Sequence, residues 1–119
     1  MSSFYQIPNK AFKDKAISAD AKLVLAFLIY NEAMKTKYKD KVSGKKYKRG
    51  DYIPIYQINI AQAINKSVDV LRHSYIPQLI EGGYIAKRLV SGVKGTAQNT
   101  ICEYRILWEN IESSKEPPA

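Results

Sequence analysis

The stretch from Ile58 to Ile85 constrains the fold more than any other part of the chain. Ser67 is a favourable N-cap, because its hydroxyl can accept a hydrogen bond from an unpaired N–H of a following helix. Gly82 and Gly83 supply the left-handed residue that commonly ends a helix. Before and after Ser67, apolar residues recur at helical spacing: Ile60, Ala61 and Ile64, then Val68, Leu71, Tyr75 and Leu79. The pattern predicts two helices joined by a short turn, a helix-turn-helix over residues 58–83.

Two segments rich in strand-forming residues follow the second glycine. Residues 84–90 and 100–107 flank a polar tip that contains two glycines. In the second segment Cys102, Tyr104 and Ile106 alternate with Glu103 and Arg105, as expected of a strand with one buried face. A β-hairpin directly after a helix-turn-helix is the wing of a winged helix, and we assign the wing to residues 84–107. The predicted fold is mainly α with a small β-hairpin, a winged helix-turn-helix over residues 18–110.

The segment before this motif predicts an N-terminal arm and one long helix. Residues 1–17 form the arm, and Ser18 is the expected N-cap of a helix that reaches Lys35. The helix is apolar on nearly every side: Leu23, Val24, Phe27, Leu28, Tyr30 and Met34. Either it is the central helix of the core, or its outer face meets another subunit. We expect a homodimer, because a chain of 119 residues has only one modest core.

The charge of the chain indicates a polyanionic partner. Nineteen Lys and Arg residues against eleven Asp and Glu residues give a net charge of +8, which favours nucleic acid or an acidic membrane, with solubility alone as the alternative. Seven lysines and one arginine lie between Lys35 and Arg49, so residues 35–51 are predicted to form a basic loop. A lysine loop that is merely solvated is the alternative. A short strand, residues 52–56, follows the loop, and Pro54 places it at a sheet edge.

The sequence lacks the patterns expected of an enzyme. Cys102 is the only cysteine and His73 the only histidine, so no zinc site is expected. Lys94-Gly95-Thr96 resembles the end of a phosphate-binding loop, but the required glycine spacing is missing. We therefore expect no catalytic residue, no metal and no cofactor. The longest apolar run has eight residues, Leu23 to Tyr30, which is too short for a membrane span. A cytoplasmic protein is expected, and residues 111–119 have the composition of an acidic, proline-containing tail or linker.

Two sequence blocks carry a resemblance to replication proteins. Phe4-Tyr5-Gln6-Ile7-Pro8-Asn9-Lys10-Ala11-Phe12, followed by Ile17-Ser18-Ala19-Asp20-Ala21-Lys22-Leu23, resembles the opening of the N-terminal domain of replication initiator protein A from plasmids of Gram-positive bacteria. The block from Tyr52 to Ile85 is also similar to that family, with its closing Leu79-Ile80-Glu81-Gly82-Gly83-Tyr84-Ile85. The opening is similar as well to the N-terminal domain of phage replication protein O. The resemblance covers residues 4 to about 107.

The resemblance implies a winged helix that binds repeated or dyad sites at a replication origin, often as a dimer. It also implies a second domain that recruits host replication proteins, and this chain ends before such a domain. One departure from the family pattern is Pro77, which lies inside the second helix of the motif. A proline in a helix interior costs about 3 kcal/mol. We expect either a kink near Tyr75-Ile76 or a break, after which a new helix restarts with Pro77 at its first position, N1.

The expected mechanism is insertion of the helix that starts at Ser67 into the major groove of duplex DNA. Arg72 is the candidate for bidentate bonding to guanine, with phosphate contact as the alternative, and Asp69 can accept from a cytosine amino group. Arg72 is expected to be exposed, so its removal should leave the fold intact. The wing is expected to hold the flanking backbone or minor groove, and the basic loop to add sequence-independent affinity. The predicted DNA-binding residues are Lys45, Lys46, Lys48, Arg49, Lys66, Ser67, Asp69, Arg72, His73, Lys87, Arg88, Lys94 and Asn99. For His73, a surface histidine without base contact is the favoured alternative.

The function expected from the sequence is specific double-stranded DNA binding at a plasmid or phage replication origin. Two alternatives stay open at this point. A winged-helix transcriptional repressor would use the same binding chemistry at a different site. A winged-helix protein-interaction module would use the same surfaces to bind another protein, and the basic loop argues against it.

Overall fold

A long helix crosses one side of a small antiparallel sheet, and shorter helices fill the space beside both. The computed structural model describes residues 6–41, 44–89 and 101–112. About half of these residues are helical. The elements in chain order are α1 (Asn9–Lys13), α2 (Ala19–Lys37), β1 (Ile53–Tyr56), α3 (Gln57–Ala63), α4 (Val68–Val70), a π-helical turn (Leu71–Tyr75), α5 (Ile76–Glu81), β2 (Ile85–Leu89), β3 (Ile101–Ile106) and α6 (Trp108–Ile111).

Helix α2 confirms the predicted long helix and extends it by two residues. The Ser18 hydroxyl accepts from the backbone N–H of Ala21 at 3.1 Å, which is the expected N-cap. One face of α2 is buried in the core: Ala21, Val24, Leu25 and Leu28. Leu23 and Met34 lie away from that face and remain 39% and 38% exposed. The helix is therefore a core element that still presents apolar side chains to solvent.

In the described residues the sheet has three strands, the two of the predicted hairpin and the short edge strand predicted before the helices. Its order is β1-β3-β2, and both pairings are antiparallel. Strand β1 adds to the hairpin because Ile53 lies opposite Tyr104 and Ile55 opposite Cys102, so that buried residues meet on one side. We call this side the inner face and the opposite side the outer face. Pro54 lies in an edge strand, as its missing N–H requires.

In chain order, the two helices of the predicted motif come after β1 and before β2. Helix α3 is followed by a turn in which Asn65 has a φ of 58°. Asparagine is one of the few residue types besides glycine that tolerate this conformation. Ser67 then caps α4, because its hydroxyl accepts from the N–H of Val70 at 3.2 Å. At the far end the N–H groups of Gly83 and Tyr84 donate to the carbonyls of Ile80 and Leu79. With Gly83 at a φ of 79°, this pairing is a Schellman motif.

Pro77 neither breaks the second helix nor leaves it regular. In a continuous α-helix Pro77 would lack the N–H that bonds to residue 73. Here the preceding residues Leu71–Tyr75 form a π-helical turn, and the Ile76 N–H donates to the Leu71 carbonyl five residues back. Pro77 then lies in the first turn of α5, where no N–H is needed. We call α4, the π-turn and α5 together the composite helix.

A buried carboxylate attaches the basic loop to the core. Glu32 on α2 is 4% exposed. Its two carboxylate oxygens accept from the Gly50 N–H and from the Trp108 indole N–H, each at 2.9 Å. These bonds connect α2 with the end of the basic loop and with α6. A buried charge is tolerated only with such partners, so Glu32 fixes how three separate segments meet.

Replacing Glu32 with alanine should therefore destabilise the protein. The Gly50 and Trp108 donors would lose their buried acceptor, and we expect the free energy of unfolding to fall by about 2–4 kcal/mol. Urea denaturation followed by circular dichroism measures the change. The exposed Glu81→Ala variant is the control and should stay within about 0.5 kcal/mol of the unmodified protein. Equal stability of the two variants would contradict this role.

Candidate nucleic-acid interface

The exposed start of the composite helix carries four of the predicted DNA-binding residues. Lys66, Ser67, Asp69 and His73 are all exposed. Lys66 also lies 3.6 Å from the Asp20 carboxylate of α2, a pair exposed enough to be weak. Three exposed amide side chains lie on α3 and in the adjoining turn: Asn59, Gln62 and Asn65. Sequence reasoning did not select them, although asparagine and glutamine are the usual readers of adenine.

Arg72 does not project outward as predicted. Its side chain is half-buried, and its Nε donates to the Gln57 side-chain oxygen at 2.9 Å. Gln57 is only 1% exposed, and its amide nitrogen donates to the Tyr104 hydroxyl at 3.1 Å. Burial is the main cause that raises the pKa of Tyr104 above its usual value, so this hydroxyl stays protonated. Arg72 therefore ties the composite helix to β3 through a buried amide.

Gln57 is a structural residue of the candidate interface that sequence reasoning missed. The chain places it directly after β1 and at the first position of α3. Nothing in its local pattern shows that it faces inward, because its partners Arg72 and Tyr104 lie 15 and 47 residues further along the chain. Only the packed arrangement of the composite helix on β3 brings the three side chains together.

The adjacent cations of β2 point to opposite sides of the sheet. Lys87 lies opposite Tyr104, on the inner face where the helices pack, and its side chain is exposed. Arg88 lies opposite Glu103 on the outer face, forms an ion pair with that carboxylate and stacks 4.1 Å from the centroid of the Tyr52 ring. Lys87 thus shares a side with the composite helix, and Arg88 does not. The predicted contacts at Lys94 and Asn99 fall between the described segments 44–89 and 101–112.

The basic loop lies far from the start of the composite helix. Lys66 lies beside Asp20, whereas the loop ends at Gly50 beside Glu32. Twelve residues of α2 separate the two acids, a distance of about 18 Å along the axis. In the loop Lys46 and Lys48 are exposed. The predicted residues therefore divide into two surfaces instead of forming one patch.

The other two predicted DNA-binding residues of the loop contact aromatic rings. Lys45 lies 4.8 Å from the ring centroid of Tyr47, and Arg49 lies 4.0 Å from that of Trp108. Arg49 also pairs with the Glu112 carboxylate, which raises the pKa of Arg49 and lowers that of Glu112. Burial, and then the carboxylates of Asp40, Glu103 and Asp51, raises the pKa of Tyr47. Because Glu103 is on the outer face, the loop approaches that face of the sheet.

The described segments contain no cluster of three or more His, Cys, Asp or Glu side chains that could hold a metal ion. No helix within them has the length and apolar composition needed to cross a bilayer.

Comparison with known proteins identifies no relative. No protein-family model matches the chain, and the searches of curated proteins and of solved structures return no significant match. The residues and their geometry are therefore the basis for assigning a function.

The position of Arg72 changes the expected effect of its removal. Arg72→Ala would leave the buried Gln57 oxygen without this donor, and we expect the free energy of unfolding to fall by about 1–3 kcal/mol. Urea denaturation of Arg72→Ala, Gln57→Leu and the double variant completes a double-mutant cycle. The double variant should lose less than the sum of the two single losses. Strict additivity would show that the two side chains act independently.

Proposed function

We propose that this chain is a winged helix that binds a specific double-stranded DNA sequence at a plasmid or phage replication origin. In this proposal the composite helix is the recognition helix and the β2–β3 pair is the wing. The observation that carries the proposal is the exposed run of Lys66, Ser67, Asp69 and His73 at the start of the composite helix, with the exposed Lys87 on the same side of the sheet. A net charge of +8 favours a phosphate backbone as the partner.

In this proposal the DNA contacts are of two kinds, contacts to base edges and contacts to phosphates. Asp69 and His73 project from the first two turns of the recognition helix, where base edges are within reach, and Asp69 can accept from a cytosine amino group. Lys66 and Lys87 flank the helix and hold phosphates, which sets the register without reading sequence. Arg72 positions the recognition helix against the wing through Gln57.

The assignment to a replication origin depends on the resemblance of the arm and first helix to plasmid initiators. Those segments pack into the fold, since Ala11 and Ile17 are buried and the Tyr84 hydroxyl donates to Asp14 at 2.7 Å. A second domain that recruits host replication proteins belongs to the same proposal. A repressor remains the second candidate, because it needs the same surface and differs only in where its site lies.

Duplex binding should depend on salt and on Lys87. We expect log affinity to fall against log salt with a slope of about −0.9 for each phosphate contact. Lys87→Ala should weaken specific and random duplexes alike and reduce the slope by about one contact. Asp69→Ala should change the ratio between specific and random duplexes instead. Fluorescence anisotropy measures both quantities, and Lys13→Ala, an exposed cation on α1, is the control.

Affinity that is indifferent to salt, or an effect of Lys13→Ala as large as that of Lys87→Ala, would contradict this surface. A protein-interaction module would then be the preferred function, since Leu23, Met34 and Ile80 are exposed apolar side chains that a protein partner can bury.

A homodimer is the expected assembly on DNA with two half-sites. The exposed Leu23 and Met34 on one side of α2 supply apolar surface for a second copy. Leu23→Glu should shift sedimentation toward the monomer, and Leu89→Glu, at a 71% exposed leucine on β2, should not. A strict monomer for the unmodified protein, free and on DNA, would contradict the dimer.

A further inference from the structure

The outer face of the sheet carries aromatic and cationic side chains that the duplex-binding surface does not use. Tyr52, Pro54 and Tyr56 follow one another at every second position along the edge strand, so they lie on the same side. Tyr56 is 44% exposed and lies opposite Ile101. Pro54 lies opposite Glu103, which in turn lies opposite Arg88. These residues form one continuous strip across all three strands.

Two contacts hold the planar guanidinium of Arg88 in this strip and leave it exposed. The guanidinium stacks on the Tyr52 ring at 4.1 Å and is paired at its side with Glu103. The Arg88 side chain nevertheless stays 58% exposed. A guanidinium supported by a ring on one side leaves its other planar surface for a further stacked group. Unpaired nucleic-acid bases stack on arginine planes and on tyrosine rings in this way.

The charges beside the strip suit a phosphate backbone. The exposed Lys46 and Lys48 belong to the basic loop, whose end lies at the outer face because the Arg105 Nε donates to the Gly50 carbonyl at 3.0 Å. Glu103 lies within the strip and its charge is offset by Arg88, while Asp40 and Asp51 also lie near Tyr47 and Asp40 pairs with Lys35. Tyr52 and Tyr56 are four residues apart in extended chain, or about 13 Å. Two separate stacking positions with lysines alongside are the arrangement that single-strand-binding surfaces use.

We propose that the outer face is a binding site for single-stranded nucleic acid. Bases stack on the Arg88 guanidinium and on the Tyr56 ring, and Lys46 and Lys48 contact phosphates. A duplex cannot use this site, because its base faces are already stacked on each other. The site lies on the opposite side of the sheet from Lys87, so it goes beyond the proposed duplex-binding function.

The test is fluorescence anisotropy with a fluorescein-labelled dT12 oligonucleotide at low salt. The unmodified protein should bind it. Tyr56→Ser should raise the dissociation constant at least about five-fold, as expected for the loss of one stacked base. Arg88→Lys should do the same, because it keeps the charge and removes the planar group. Phe12→Ser is the matched control, since Phe12 is also an exposed ring with a lysine nearby but lies on α1.

Three further measurements complete the test of the single-strand site. Tyr56→Trp should bind dT12 at least as tightly as the unmodified protein, which tests stacking even if Tyr56→Ser folds poorly. An abasic strand of equal charge should bind at least about five-fold more weakly than dT12. Both Tyr56→Ser and Arg88→Lys should keep duplex affinity. An unmodified protein that binds dT12 but no duplex would count against the duplex proposal alone.

Equal affinity for the abasic strand, or full dT12 affinity in both Tyr56→Ser and Arg88→Lys, would overturn the single-strand site. Competition by poly-glutamate as effective as that by dT12 would also overturn it, in favour of an acidic protein partner.

Discussion

The arrangement of the proposed duplex-binding surface depends on the hydrogen bonds of the buried Gln57 side chain. It accepts from Arg72 of the composite helix and donates to Tyr104 of β3. These bonds lie in the protein interior, where an unpaired polar group is costly. They therefore set the position of the helix relative to the strand that pairs with β2. Because Lys87 lies opposite Tyr104, the same bonds also set the distance between the helix and its flanking cation.

Glu32 has the corresponding role at the other end of α2. It joins the end of the basic loop to α6, and Arg49 and Trp108 stack beside it. The two buried polar centres thus hold two different surfaces on one scaffold. The proposed duplex reader lies near the start of α2, and the end of the basic loop lies near the end of α2. The described cations among the predicted DNA-binding residues are divided between these surfaces rather than concentrated on one.

Local chemistry made much of the fold predictable. Ser18 and Ser67 mark helix starts, the glycine pair marks the end of α5, and alternation in residues 101–106 identifies the buried face of β3. The sequence predicted a disturbance of the helix near Pro77 but not a π-turn, because several backbone conformations can accommodate a residue without an N–H. The roles of Arg72 and Arg88 could not be predicted. Each depends on a partner that is distant in sequence, and strand register decides which cation of β2 faces the helices.

The central claim is that duplex DNA contacts the start of the composite helix and the Lys87 side of β2. The most direct measurement is a titration of the ¹⁵N-labelled protein with a duplex recovered by selection from a random library, followed by amide chemical shifts. We expect the largest changes at Ser67, Asp69, His73 and Lys87, with small changes at Tyr56 and Arg88. Changes confined to the outer face of the sheet, or to Leu23 and Met34 on α2, would contradict it.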